Sequence, residues 1–246
     1  MYTIMQAIIL AGGFAKRLWP LTLEKPKPLL PINDKPIIEY LLEKIDELNV
    51  ENIIVSTNMK FKNNFERWLS STGRKNVRII AEESTKEEEK LGAIKALSRL
   101  SDEVVEDCLI AAGDNIFTES LLGFKKMFEK LKSPMICLYD VREPELAKNY
   151  SIAVLEDDDR IVDFVEKPKE PKTTLIGTCL YIFPKEVFRK LDEYVRMNKD
   201  CDAPGKFIEW LCKEMPVYGY KMHGMWWDIG TVKSYEDAKR YFAGKR

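Results

Sequence analysis

Two glycines, an arginine and three lysines crowd the segment LAGGFAKRLWPLTLEKPKP, which begins at Leu10 and directly follows the apolar run through Ile9. Gly12 and Gly13 let a backbone turn tightly and come close to a ligand with no Cβ in the way. The N–H groups of such a turn suit phosphate. Arg17 can meet two phosphate oxygens with its planar fork, while Lys27 supplies a more mobile point charge. Pro20, Pro26, Pro28 and Pro31 stiffen the segment, so its charges need little ordering on binding. Neither a G-x-G-x-x-G fingerprint nor a G-K-[ST] ending is present, which argues against a dinucleotide fold and a P-loop. The competing reading is an ordinary strand-to-helix loop carrying solvated cations.

Acidic residues form a second group. Asp114 stands at the end of an apolar run in IAAGDNIF, and Asp228 follows two tryptophans in GMWWDIGT. Carboxylates in apolar surroundings are costly unless neutralised. A Mg²⁺ ion, which takes one or two carboxylates plus phosphate oxygens and water, would neutralise this pair. The plainer alternative is two turn-capping aspartates that never meet. In VEKP, strand alternation puts Glu166 and Lys167 on opposite faces, with Pro168 ending the strand. The charge run Lys86-Glu87-Glu88-Glu89-Lys90 reads as a solvated loop or helix start.

The 246 residues, 45% hydrophobic and 32% charged, suit a globular protein able to bury its own core. A net charge of -1 predicts no nucleic-acid or membrane partner, so any anion must be held by local basic clusters. No run of eighteen apolar residues occurs and the N-terminus lacks a signal-peptide pattern, which predicts a cytoplasmic protein. The five cysteines are scattered without a C-x-x-C pair, which fits neither a disulfide framework nor a zinc site. With one histidine, His223, a mechanism that needs a histidine base has a single candidate.

These side chains need elements to hold them. Residues 4–10 read as a buried parallel strand, 36–48 as a helix with one apolar stripe, and 52–58 as the next strand. Helices are expected over 61–72, 91–100 and 119–131, and strands over 77–81 and 107–115. This alternation requires a mostly parallel sheet covered on both faces. Past residue 131 the pattern changes: SIAVL and RIVDFVE flank an acidic turn as an antiparallel hairpin, and 175–183 is another strand. Helices over about 184–194, 205–213 and 232–243, with a strand over 216–221, complete the reading. Ligands of open α/β sheets gather beyond the strands' carboxyl ends. Leu10–Arg17, Ala111–Asn115 and the region of Glu166–Lys167 are therefore expected to lie there.

The ordered motifs AIILAGGFAKRLWPLT, KPKPLLPINDKPIIEY, LIAAGDNIF, DFVEKP, LYIF and WWDIGT resemble those of the sugar-1-phosphate nucleotidyltransferases, over residues 5 to about 240. That family includes glucose-1-phosphate thymidylyl- and uridylyltransferases and mannose-1-phosphate guanylyltransferases. The resemblance implies an α/β, Rossmann-like three-layer fold: a mixed, mostly parallel sheet with a smaller antiparallel sugar-binding portion. It implies one catalytic domain over 1–246, with a nucleotide-binding half about 1–131, a sugar-binding half about 132–246 and no C-terminal β-helix. Leu10, Ala11, Gly12 and Gly13 would lie along base and ribose, with Gly92 beside the base. Arg17 would hold the β- and γ-phosphates, and Lys27 the α-phosphate and the incoming sugar phosphate. Asp114 and Asp228 match the family's Mg²⁺ ligands. Glu166 and Lys167 match contacts to the sugar hydroxyls and sugar phosphate, and Tyr150 and Gly177 border the sugar pocket. Departures fall at Ala15 and Lys16 in the loop, at Ser151, at Gly177-Thr178-Cys179, and in the longer acidic segment between Ala81 and Leu91. The implied partners are a nucleoside triphosphate and a sugar 1-phosphate, used by a monomer or small homo-oligomer. The favoured pair is glucose 1-phosphate with dTTP or UTP, then mannose 1-phosphate with GTP. A non-catalytic sugar-nucleotide sensor is the alternative of another class.

Overall fold

The computed structural model describes residues 5–197 and 200–244. Strand β1 (Met5–Leu10) leads through the glycine segment to β2 (Pro31–Ile32) and β3 (Lys35–Pro36), which pair as a short antiparallel hairpin. Then come α1 (Ile37–Asp46), β4 (Asn52–Asn58), α2 (Lys62–Thr72) and β5 (Val77–Glu82). Next are α3 (Ala93–Ser98), β6 (Asp107–Ala112), β7 (Asn115–Phe117) and α4 (Leu122–Leu131). They are followed by β8 (Met135–Asp140), α5 (Pro144–Ala147), β9 (Ser151–Leu155), β10 (Ile161–Glu166) and β11 (Leu175–Phe183). Finally come α6 (Val187–Arg196), α7 (Pro204–Glu214), β12 (Tyr218–Lys221), β13 (Trp226–Asp228) and α8 (Val232–Ala243). The mixed α/β architecture expected from the strand–helix alternation is the one observed.

Two compact units interleave in sequence. Unit 2 comprises Ala7–Lys90, Ala111–Leu121 and the segment from Gly224 onward. Here β4 and β5 run parallel in register from Ile53 opposite Val77 to Asn58 opposite Glu82. Helix α1 buries Ile37, Ile38, Leu41, Leu42 and Ile45, the one-sided stripe its spacing predicts. A local core of Leu18, Leu30, Ile32, Ile37, Ile116, Ile229, Tyr235 and Ala238 joins the glycine segment to α1, β7 and α8. Burying each large apolar side chain of this kind contributes about 1.5–3 kcal/mol.

Unit 1 comprises Leu91–Ile110 and Leu122–His223, with the first residues of β1. The predicted hairpin is present: β9 and β10 pair antiparallel from Leu155 opposite Ile161 to Ser151 opposite Glu166. Strand β8 goes beyond the elements expected from the sequence. It is buried from Met135 to Leu138, antiparallel to β11 on one side and parallel to β12 on the other. A bulge interrupts β11 between Gly177 and Tyr181, where Cys179 takes a left-handed φ of 54°.

Candidate functional site

The glycine segment is held by the polar end of β4. Ala11 N–H donates to the Ser56 carbonyl at 2.7 Å, and Asn58 Nδ2–H donates to the Gly12 carbonyl at 2.9 Å. The Thr57 hydroxyl reaches the Ala11 carbonyl at 3.3 Å, and Asn58 Oδ1 also accepts from Phe61 N–H at 3.1 Å. Ser56, Thr57 and Asn58 are all buried, so the polar groups at this strand end are spent on the loop and not on solvent.

The turn differs from expectation. Neither Gly12 nor Gly13 has a positive φ, and a Cβ on Gly13 would meet nothing within 4 Å. The left-handed residue is Ala15, at φ 49°, whose carbonyl accepts from Leu18 N–H and from the Thr22 hydroxyl, both at 2.9 Å. The sharp turn is therefore made by Ala15 and fixed by Thr22. What Gly13 provides is open space above the backbone, while a Cβ on Gly12 would come to 3.8 Å from the Thr57 backbone. By contrast, Gly113 is tightly packed: a Cβ there would lie 3.1 Å from Ile9 Cγ2 and 3.2 Å from the Leu10 carbonyl oxygen, so either neighbour would have to give way slightly.

A cleft of about 270 Å³ opens over this turn, lined by Leu10, Ala11, Gly13, Arg17, Lys27 and Asp114 among others. Asp114 follows the end of β6, and Gly113 N–H ties that end to the Leu10 carbonyl at 2.9 Å. Lys27 Nζ pairs with Asp114 Oδ2, their side chains 15% and 22% exposed. Burial pushes the Asp114 carboxyl up. The Lys27 charge and hydrogen bond, with the Asn115 amide, more than offset this and hold it below its usual range. Asp228 ends β13, directly opposite Asn115 of β7, and Ile229 N–H donates to the Asp114 carbonyl at 3.1 Å. A Cβ on Gly230 would lie 3.4 Å from Asp228 Oδ2 and 3.7 Å from Arg17 Nη2, so acid and guanidinium flank one point. Lys27 and Asp114 pair in the cleft that Arg17 also lines, and Arg17 and the Asp228 carboxylate flank Gly230, so the four residues belong to one part of unit 2.

Among the described residues, no three His, Cys, Asp or Glu side chains cluster as a ready-made metal cage. Two carboxylates that leave further positions to phosphate and water are nevertheless the donor set Mg²⁺ favours, so the residues fit that ion.

Residues 6–244 match the family model for nucleotidyl transferases. The chain belongs to this family. Among its curated relatives, the bifunctional protein GlmU of Methanocaldococcus jannaschii is 30% identical across 98% of this chain, but the match spans 55% of that protein. The chain therefore covers about half the length of that relative. The UTP–glucose-1-phosphate uridylyltransferase AglF of Haloferax volcanii is 28% identical, with 96% of each chain covered. A solved UDP-glucose pyrophosphorylase complexed with UDP-glucose shares the fold at a TM-score of 0.83 and 22% identity, covering 99% of this chain and 100% of its own.

Other family-implied residues lie in unit 1. Lys167 leaves the strand alternation: its φ is 46°, its N–H donates to the Tyr150 carbonyl at 3.2 Å, and its Nζ lies 3.7 Å from Glu166 Oε1. The expected opposite-face placement fails because β10 stops at Glu166 and the chain turns there. The other Glu166 oxygen is hydrogen-bonded by the Ser151 hydroxyl. A Cβ on Gly205, in the first turn of α7, would collide with both groups. Gly177 faces the Phe164 ring, whose Cζ would lie 3.2 Å from a Cβ at that position. Gly92 has φ 81°, and a Cβ would come within 2.6 Å of the Cys201 carbonyl, so backbone packing alone requires glycine there.

The acidic run is not merely solvated. Glu87 and Lys90 line the cleft, and Lys16 Nζ sits 3.0 Å from Glu87 and 3.2 Å from Glu88. Asn115, with a hydrogen bond on each side of its amide, is a further site residue that residue type alone does not announce. Buried polar residues at the ends of apolar strands, Ser56-Thr57-Asn58 and Asn115, are the signal the sequence offers for it.

Proposed function

We propose that this chain transfers a nucleotidyl group from a nucleoside triphosphate to a sugar 1-phosphate and releases pyrophosphate. The observation that carries this reading is the joint placement of Arg17, Lys27 and Asp114 around the cleft over the glycine segment, with Asp228 alongside. An oxygen of the sugar phosphate attacks the α-phosphorus in line. A new O–P bond forms as the bond between α-phosphorus and its bridging oxygen breaks. The nucleophile is already an anion, so no general base is required and the single histidine is no obstacle. What the reaction needs is alignment and relief of repulsion between two polyanions. Arg17 can fork onto the departing phosphates, and Lys27 can shift from Asp114 toward the reacting ones. Asp114 and Asp228 would hold Mg²⁺, which supplies positive charge to the phosphate oxygens when bound.

The backbone of Leu10, Ala11, Gly12 and Gly13, with Ala11 buried and Gly13 exposed, is assigned to base and ribose. Gly92 is assigned to the base, and Glu166 and Lys167 to the sugar and its phosphate, with Tyr150 and Gly177 bordering the sugar. Glucose 1-phosphate with dTTP or UTP remains the favoured pair, in keeping with the uridylyltransferase named among the relatives. The test is a matrix of five nucleoside triphosphates against several sugar 1-phosphates with Mg²⁺, read as pyrophosphate release. One strongly preferred pair is expected. Binding without pyrophosphate from any pair would replace the enzyme with a sugar-nucleotide sensor.

A further inference from the structure

Asn115 opens β7, next in sequence to Asp114 and opposite Asp228 of β13, and is only 6% exposed. Its Nδ2–H donates to Asp114 Oδ1 at 3.0 Å, and its Oδ1 accepts from Trp226 Nε1–H at 2.6 Å. An indole nitrogen can only donate, so it dictates which end of the amide faces it. The amide's NH₂ is thereby turned toward the carboxylate. Were the amide reversed, its oxygen would face Asp114 Oδ1, a repulsive contact in a poorly solvated place. The arrangement leaves Asp114 Oδ2 toward Lys27. Trp226 itself lies on β13 two residues before Asp228, and Asp228 is the register partner of Asn115.

We infer that Trp226 and Asn115 form a positioning pair, in which the indole N–H locks the amide and the amide fixes the Asp114 carboxylate for a divalent cation. The pair also staples β13 to β7, so the same two side chains set the separation of Asp114 and Asp228. Outer partners of metal-binding carboxylates commonly matter about ten- to a hundredfold in affinity. This inference rests on the proposed function for its biological meaning, although its physical content is cation binding alone.

The decisive variant is Trp226→Phe, which keeps an aromatic ring and removes the donor. Mn²⁺ binding is followed by electron paramagnetic resonance, with and without inorganic tripolyphosphate, alongside the melting temperature and pyrophosphate release. The expected result is about a tenfold loss of Mn²⁺ affinity and a melting temperature lowered by a few degrees, since a buried acceptor loses its donor, with the metal-free tripolyphosphate affinity unchanged. Asn115→Leu, which removes the amide at similar volume, should reproduce that loss if Trp226→Phe proves too unstable to assay. Unchanged Mn²⁺ affinity in a folded variant of either kind overturns the inference. If wild-type protein releases no pyrophosphate from any substrate pair yet the variants still lose Mn²⁺, the nucleotidyltransferase reading fails while the positioning pair stands.

Discussion

Asp114 keeps its charge in poorly hydrated surroundings through Lys27 and Asn115. Asp114→Asn preserves shape and removes that charge, leaving Lys27 without its counterion. Turnover is expected to fall at least about a hundred- to a thousandfold, the scale of losing one preorganised electrostatic group. Near-normal pyrophosphate release from a folded Asn variant would remove Asp114 from the mechanism. Arg17 tests geometry in place of charge. Arg17→Lys keeps the cation but loses the planar fork, so use of the triphosphate should suffer substantially and Arg17→Ala should suffer more. Equal kinetics for all three forms would show that the guanidinium touches no phosphate. At this scale the sequence points to Arg17, Lys27, Asp114 and Asp228 as candidates, because charged side chains suggest phosphate and cation chemistry by their type alone. It was silent about Asn115 and Trp226, since an amide's value depends on what faces each end of it.

The strands place these groups, and β4 shows how. Its first residues are mostly apolar and bury themselves, while Ser56, Thr57 and Asn58 are buried yet polar. Their hydrogen bonds to Ala11 and Gly12 make the end of β4 a clamp on the loop that follows β1. Asn58→Ala strips the amide donor from the Gly12 carbonyl and leaves the Phe61 N–H only its 3.2 Å bond to the Asn58 backbone carbonyl. The expected cost is about 1–3 kcal/mol, read as a lower denaturant midpoint at unchanged slope. Faster hydrogen exchange in the glycine segment should accompany it, and an unchanged midpoint would mean that water replaces the amide freely. Periodicity reveals α1, β4, β11 and α8 almost to the residue, because each has a clear apolar pattern or sharp polar ends. It misses β8, whose short apolar run follows directly on α4, and the two- and three-residue strands β2, β3, β7 and β13. Such short pieces have no period to read, and β7 and β13 are the ones that bring Asn115 opposite Asp228. The Lys167 misplacement has the same origin: alternation holds within a strand and lapses where the strand stops.

Across the whole molecule, the titrating groups define a window of stability. On the acid side, burial pushes the Glu47 carboxyl up, but the Ser120 hydroxyl at 2.6 Å and Lys44 at 2.9 Å hold it below its usual value. The Thr174 hydroxyl and the Arg142 N–H likewise lower Asp140. Asp114, despite its burial, is lowered by Lys27 and Asn115. Groups depressed by folding contribute stability above their ordinary carboxylate range, and that contribution is lost as the pH falls through their lower folded values. On the alkaline side, burial pushes the Cys212 thiol up to about 12. Burial, reinforced by Asp200, takes the Tyr194 phenol to about 12 as well. Groups raised by folding contribute below their ordinary values of 9 and 10, and that contribution disappears as the pH climbs toward the folded ones. Unfolding free energy from urea titrations should therefore be flat between about pH 5 and 8 and decline on both sides. Tyr194→Phe and Cys212→Ala should each lower the plateau somewhat, through the lost bond to the Asp200 carbonyl and through lost packing, yet flatten the alkaline decline. An alkaline limb equally steep in both variants would mean that neither group drives it, and the decline would then belong to other raised groups, the buried Tyr181 phenol and the carboxylate-paired Lys16, Lys190 and Lys239.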